Sequence, residues 1–164
     1  VVQANNTLTI QPGATLKFAP GASMTVEGNL IAIGTATSPI TMESTTSSPW
    51  GGLLVKTSAG ISSASPFTLK HVRIINASPF GIDATGTDVS GGYSSFYVDL
   101  EEVSLSVSCS SGECAGIHFH GPLSGTIKDT SITVTGTGTT LNGIQADLTN
   151  VDFQGSNSIT VTGS

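Results

Sequence analysis

Asp83, His118, His120 and Asp147 are the residues of this chain whose types suit acid/base chemistry, and each belongs to or follows a recurring short segment. Its core, Gly-apolar-x-small/apolar, lies in Trp50-Gly51-Gly52-Leu53-Leu54-Val55 and returns as Gly81-Ile82-Asp83-Ala84, Gly116-Ile117-His118-Phe119 and Gly143-Ile144-Gln145-Ala146. Stacked in register, the copies form one outward column of Leu54, Asp83, His118 and Gln145 and a second of Lys56, Thr85, His120 and Asp147. Adjacent strands lie about 4.8 Å apart, which sets Asp83 beside His118 and Asp147 beside His120. Asp–His neighbours suit proton transfer or weak metal ligation. The plainer alternative is that His118-Phe119-His120 is a strand with two solvated imidazoles around one buried ring. Asp83, His118, His120 and Gln145 therefore form a candidate binding face, and no residue is assigned to catalysis, to a metal or to a cofactor.

The elements that must position these residues are short strands. Glycine-to-glycine spacings of 29, 35 and 27 residues between the copies are too irregular for a helical repeat and natural for stacked rungs with loops of variable length. A second motif trails each copy: Leu69-x-x-Val72-x-Ile74, Leu100-x-x-Val103-x-Leu105, Ile127-x-x-Thr130-x-Ile132 and Leu148-x-x-Val151-x-Phe153. A two-residue polar break between period-2 apolar runs reads as strand, corner, strand. Turn signals at Pro12-Gly13, Pro20-Gly21 and Gly28-Asn29 divide the first part of the chain in the same way, and no segment carries apolar residues at helical spacing.

The pattern predicts three strands per rung. One sheet takes Met24–Val26, Leu53–Val55, Ile82–Ala84, Ile117–Phe119 and Ile144–Ala146. The second takes Leu8–Ile10, Leu30–Ala32, Phe67–Leu69, Phe96–Leu100, Thr126–Ile127 and Asp147–Leu148. The third takes Leu16–Phe18, Ile40–Met42, Val72–Ile75, Val103–Val107, Thr130–Val134 and Val151–Phe153. Longer excursions fall at 57–66, 85–95 and 108–114. Tyr93, Phe96 and Tyr97 close the second one, and their rings suit either the core or sugar stacking. Lys70, Glu101 and Lys128 form a corner column of alternating sign beside His71, Glu102, Asp129 and Asn150, which reads as register control.

Composition narrows the function classes. The 164 residues form one domain by length, with a net charge of −6 and only four lysines and Arg73 to offset the acids. Such a surface repels phosphate backbones and anionic lipid, so no nucleic-acid partner is expected, and no apolar run is long enough to span a bilayer as a helix. Cys109 and Cys114 enclose Ser-Ser-Gly-Glu, which fits a disulfide outside the cytosol, with two free thiols in a reducing compartment as the alternative. Asn5-Asn6-Thr7 and Asn76-Ala77-Ser78 match the N-glycosylation pattern. With no leader visible at Val1, a secreted or cell-surface protein is expected, either processed or cut from a longer chain.

Leu8-Thr-Ile-Gln-Pro-Gly-Ala-Thr-Leu-Lys-Phe18, then Met24-Thr-Val-Glu-Gly-Asn-Leu-Ile-Ala-Ile-Gly34, Pro39-Ile-Thr-Met42 and Trp50-Gly-Gly-Leu53, resembles the start of the right-handed parallel β-helix repeat proteins exported by bacteria and archaea. The resemblance implies an all-β, three-sheet right-handed parallel β-helix of about five to six rungs over residues 1–164. It leaves activity open, because that scaffold carries lyases, hydrolases, adhesins and structural proteins. Lyases of this kind need a basic residue with calcium-holding carboxylates, and Arg73 has no acidic cluster beside it. Hydrolases need grouped aspartates, and the column offers Asp83 alone. The chain is expected not to be an enzyme.

The ends point to assembly. Val1-Val2 at the front and Ser158-Ile159-Thr160-Val161-Thr162-Gly163 at the back are apolar and uncharged, with no helix or charged rung to blunt them. Val1, Val2, Ile159 and Val161 are thus candidate contact residues for head-to-tail joining of copies into a filament or matrix, with or without exchange of Val1–Ile10. The competing expectation is a carbohydrate-binding adhesin or polysaccharide-processing module that uses the Asp83/His118/His120 face.

Overall fold

The computed structural model describes residues 1–56, 61–85 and 95–163, with Thr85, His120, Leu148 and Thr149 described by backbone alone. Parallel strands wind into a β-solenoid of about five turns, with no helix among the described residues. The first face stacks β3 (Met24–Val26), β6 (Leu53–Lys56), β9 (Phe80–Thr85) and the leading halves of β12 (Glu113–Lys128) and β14 (Thr140–Gln154). The second stacks β1 (Thr7–Ile10), β4 (Asn29–Ile33), β7 (Phe67–Lys70), β10 (Phe96–Glu101) and the trailing halves of β12 and β14. The third stacks β2 (Thr15–Phe18), β5 (Ile40–Ser44), β8 (Val72–Ala77), β11 (Ser104–Cys109), β13 (Ser131–Gly136) and β15 (Ser158–Gly163).

Alternation along each strand builds the core as columns. Met24, Leu53, Ile82, Ile117 and Ile144 align on the first face. Ile10, Ala32, Leu69, Leu100, Ile127 and Phe153 align on the second, and Leu16, Met42, Ile74, Leu105, Ile132 and Ile159 on the third. Side chains in the middle of these columns are almost wholly buried. Each such Leu, Ile or Phe contributes about 1.5–3 kcal/mol before conformational entropy is subtracted. Trp50 packs between rungs: it is fully buried, bridges Ala77, stacks on Phe18 at 4.2 Å and donates its indole N–H to the Ile75 carbonyl at 2.9 Å. The recurring glycine has a packing reason at Gly116 and Gly143. A Cβ there would come within 2.2 Å of Ile132 and 2.1 Å of Ile159, whose side chains cross from the third face.

The corner between the second and third faces repeats one device. His71, Glu102, Asp129 and Gly155 adopt left-handed φ values of 49°, 50°, 48° and 66° on successive rungs. A single left-handed residue turns the chain sharply while its N–H still bonds the next rung: His71 to the Glu101 carbonyl, Glu102 to that of Lys128, Asp129 to that of Gln154.

The last rung departs from the sequence-based assignment. Val151–Phe153 pairs with Gly125–Ile127 and so belongs to the second face, not the third. The third-face strand of that rung is β15, whose Ser-Ile-Thr-Val-Thr-Gly repeats β13 residue for residue in register. Leu148-x-x-Val151-x-Phe153 imitates the corner motif, but the corner falls at Gly155 and contains one extra residue, Asn157. Its side chain absorbs the insertion: Oδ1 accepts from the Thr130 N–H at 2.9 Å, and Nδ2 donates to the Ile127 and Gln154 carbonyls at 3.1 and 2.8 Å. Asn150 consequently pairs with Ser124, and Gly155 takes the corner place after Asp129 expected for it.

Candidate functional site

The outward column of the first face forms as its spacing predicts. Leu54, Asp83, His118 and Gln145 follow one another across β6, β9, β12 and β14. Asp83 Oδ1 and His118 Nδ1 are 2.8 Å apart. The imidazole is not solvated, however: His118 is 5% exposed, and the Phe80 ring lies over it at 4.2 Å and 12°. Phe80 stands three residues before Asp83, and its ring covers the outward side of the strand that alternation alone assigns to solvent. A histidine sealed between an aromatic plane and a carboxylate is a packed, oriented group, and this geometry offers a substrate no open approach to the ring.

Gln145 is in register with His118 but turns its amide elsewhere, accepting from Asn142 at 2.9 Å and donating to Glu113 at 2.5 Å. The second column does not form as expected. Lys56 and Thr85 pair, but the register of β12 on β14 shifts after His118, so Asp147 lies opposite Pro122 rather than His120. The His120 side chain lies outside the described residues, as does Tyr93. Phe96 is fully buried and belongs to the core, whereas Tyr97 faces outward. No cluster of three metal-ligating side chains occurs among the described residues.

Charges pair across rungs instead of gathering at a centre. Lys17 meets Glu43 at 3.4 Å and Lys56 meets Glu27 at 2.6 Å. Lys70 meets Asp99 at 3.0 Å and Glu101 at 3.2 Å, and Lys128 meets Glu101 at 2.5 Å. Hydrogen bonds from Lys128 and then Lys70 hold the Glu101 carboxyl below its ordinary value. Asp99 foremost, then Glu101, raises Lys70 against a lowering by burial, and Glu101 raises Lys128. His71 sits 3.0 Å from Glu102 on the neighbouring corner. This is the register ladder expected from the alternating signs.

Cys109 and Cys114 form a disulfide with Cα atoms 6.1 Å apart, and both residues are buried where β11 hands over to β12. Of the two glycosylation candidates, Asn5 lies in an exposed turn, while the Asn76 amide donates to the Ser47 carbonyl at 2.8 Å. No helix of the described residues is long and apolar enough to cross a membrane.

The two ends of the solenoid present the least satisfied surface. At the back, Phe153, Ile159 and Val161 are 45%, 50% and 42% exposed although they continue buried columns. At the front, Leu8 is exposed and Leu16 and Phe18 are half covered. Val1 projects freely, but Val2 is buried: it bridges Val26 and donates its N–H to the Thr25 carbonyl at 2.8 Å, so it belongs to the first rung's packing. Compared with protein-family profiles, curated protein sequences and solved structures, the chain matches none.

Proposed function

We propose that this is an extracellular structural protein that polymerises end to end, the last rung of one copy pairing with the first rung of the next. The observation that carries the reading is the match between the two open edges. Continuing the unbroken columns by one rung sets Ile159 against Leu16, Phe153 against Ile10 and Val151 against Leu8, and the same pairing of the two strands carries Val161 onto Phe18. Every contact is apolar on apolar, and no like charges meet among the outward residues of these strands, where Lys17 at the front would face Thr160 at the back.

Unpaired parallel edges over an open core are templates for strand addition, and a head-to-tail contact that does not close yields a filament. Burying the remaining half of each aliphatic side chain adds roughly 1 kcal/mol per residue, beside the new ladder of backbone hydrogen bonds. The buried disulfide supports an oxidising, extracellular setting.

Two variants test the reading, each of which blocks one edge. Val161→Lys charges the back and Leu8→Lys the front. The unsubstituted chain is expected to give concentration-dependent polymers by sedimentation velocity and negative-stain imaging, each variant alone to stay monomeric, and their mixture to stop at dimers. A strictly monomeric unsubstituted chain at high concentration sinks the proposal, as does polymerisation that ignores both substitutions.

A further inference from the structure

The outward side of the third face changes character along the axis. Over the first three rungs it carries Lys17, Glu43 and Arg73, whereas β11, β13 and β15 place no charge on it. Ser104, Ser106 and Ser108 of β11 stand in register with Ser131, Thr133 and Thr135 of β13, and these with the same three positions of the identical hexapeptide in β15. The result is a square array of hydroxyl side chains, half-buried or exposed, over an inward layer of Leu105, Val107, Ile132 and Val134 that is almost wholly buried. We propose that this array is an ice-binding site, whose ligand is the ordered water at the surface of a growing crystal. Because the array lies on a flank within a single copy, its role is independent of the end-to-end reading.

The spacing of the array matches solid water. Rungs repeat at about 4.8 Å and alternate residues of a parallel strand at about 6.6 Å, so the hydroxyls occupy a near-rectangular net with those two periods. Water oxygens joined by O–H···O bonds of about 2.75 Å at tetrahedral angles lie about 4.5 Å apart when they share a neighbour, and the stacked layers of that lattice repeat at about 7.4 Å. Each period of the protein is thus within roughly a tenth of one period of the lattice, and the choice among staggered χ1 rotamers moves each oxygen far enough to take up the difference. The register that keeps the net regular is unbroken on both sides of β13. It stops at β8, where pairing with β11 shifts between Leu105 and Val107 and the column meets Arg73.

The chemistry fits the same ligand. A Ser or Thr hydroxyl donates one hydrogen bond and accepts two, so it can stand in for a water molecule at a lattice point. Among the described residues, the only hydrogen bond between side chains of the array is the 3.5 Å approach of Ser131 to Ser158, which leaves the capacity of the others for an outside partner. Each threonine adds a methyl beside its hydroxyl, and moving that apolar area out of liquid water is favourable. An ammonium group in the array would keep its own hydration shell and interrupt the lattice. The other two faces do carry such charges, paired across rungs as in Lys56 with Glu27 and Lys70 with Asp99.

The test is ice-affinity partitioning of the fluorescently labelled full chain, with labelled serum albumin as the reference and single-crystal growth followed by nanolitre osmometry. Leu8→Lys is carried throughout to keep the particle single, so that entrapment of polymers is not read as binding. The chain is expected to be enriched several-fold over albumin in slowly grown ice, to facet the crystals, and to open a gap between melting and growth temperatures that widens with concentration. Thr133→Lys, at the centre of the array, is expected to lower the enrichment to the albumin level, Thr133→Ser to lower it in part, and Thr25→Lys on the first face to leave it unchanged. Thermal melts establish that each variant is folded, and Thr160→Lys is a second probe at an exposed position should Thr133→Lys unfold. Exclusion of the chain from ice to the same extent as albumin overturns the proposal. So does enrichment that survives both Thr133→Lys and Thr160→Lys, or that Thr25→Lys removes as fully. Dimers in sedimentation that Thr133→Lys dissolves, while ice excludes the chain, overturn it as well and make a second copy the occupant of the face.

Discussion

Strands β13 and β15 carry one hexapeptide, Ser-Ile-Thr-Val-Thr-Gly, on adjacent rungs of one face, yet they are different environments. In β13, between two neighbours, Ile132 and Val134 are 1% and 0% exposed; in β15, with a neighbour on one side only, Ile159 and Val161 are 50% and 42% exposed. Burial here is a property of the neighbouring turns. A rung of a solenoid cannot close its own core, so its stability is set by how many rungs flank it. The same pair of strands supplies an internal reference for what one further rung would bury at the open end.

The sharpest way to break the comparison is one substitution made twice. Ile132→Ala is expected to cost about 2–5 kcal/mol in denaturant unfolding of the dilute chain, whereas Ile159→Ala costs about 1 kcal/mol or less. Equal losses from the two variants contradict the difference in environment. Under conditions where the chain polymerises, the cost of Ile159→Ala is expected to rise toward that of Ile132→Ala.

Next in size is Asn157→Ala, which removes all three hydrogen bonds by which the inserted corner residue ties β15 to the rung before it. A loss of about 1–3 kcal/mol is expected, accompanied by faster amide exchange in 158–163 than in 131–136. Protection that stays equal in the two strands counts against the role given to Asn157.

The corners sharpen the comparison in a third way. The last rung turns at Gly155, the inner ones at His71, Glu102 and Asp129, all with positive φ. Asn tolerates that conformation better than Glu, so Glu102→Asn is expected to raise stability by about 0.5–1 kcal/mol less what the His71 contact contributed. A lowered melting temperature argues that the contact, not the backbone, governs that corner.

The smallest effect is electrostatic, because the ladder is half-exposed and screened by solvent. The Glu101 carboxyl is held below its ordinary value, so its contribution is present above that value and is lost as the pH falls below 4.5 and through the lowered value. Lys70 and Lys128 are raised, so theirs is present below 10.5 and is lost as the pH rises through the raised values. A shallow stability plateau between those limits, flattened in Glu101→Gln and by high salt, is the expected outcome of melts across pH. The ladder ends at Gln154, which is in register with Lys128 and donates its amide to Asp152.

Much of this architecture was legible before any coordinates. The glycine-apolar copies align as read, and so do the inward columns and the alternating Lys70–Glu101–Lys128 stack, because a period of two along a strand and a polar break at a corner are local properties. Phe153 shows the limit. Its motif imitated a corner, and only the pairing with Ile127 places it on the second face. His118 shows another: its column was correct, but the Phe80 ring that seals it comes from the preceding rung and lies on the side that alternation leaves to solvent.

The chain's own order of residues determines, on its face, that it winds, which side chains point inward, and that Cys109 and Cys114 are close enough to join, since each depends on interactions a few residues apart or on a repeat read along one line. Only the folded molecule decides what lies over an outward column and how fully each rung is covered. Those depend on which loops and rings of separate turns meet across a surface, and on whether a rung has a neighbour on both sides, neither of which is a property of any single turn.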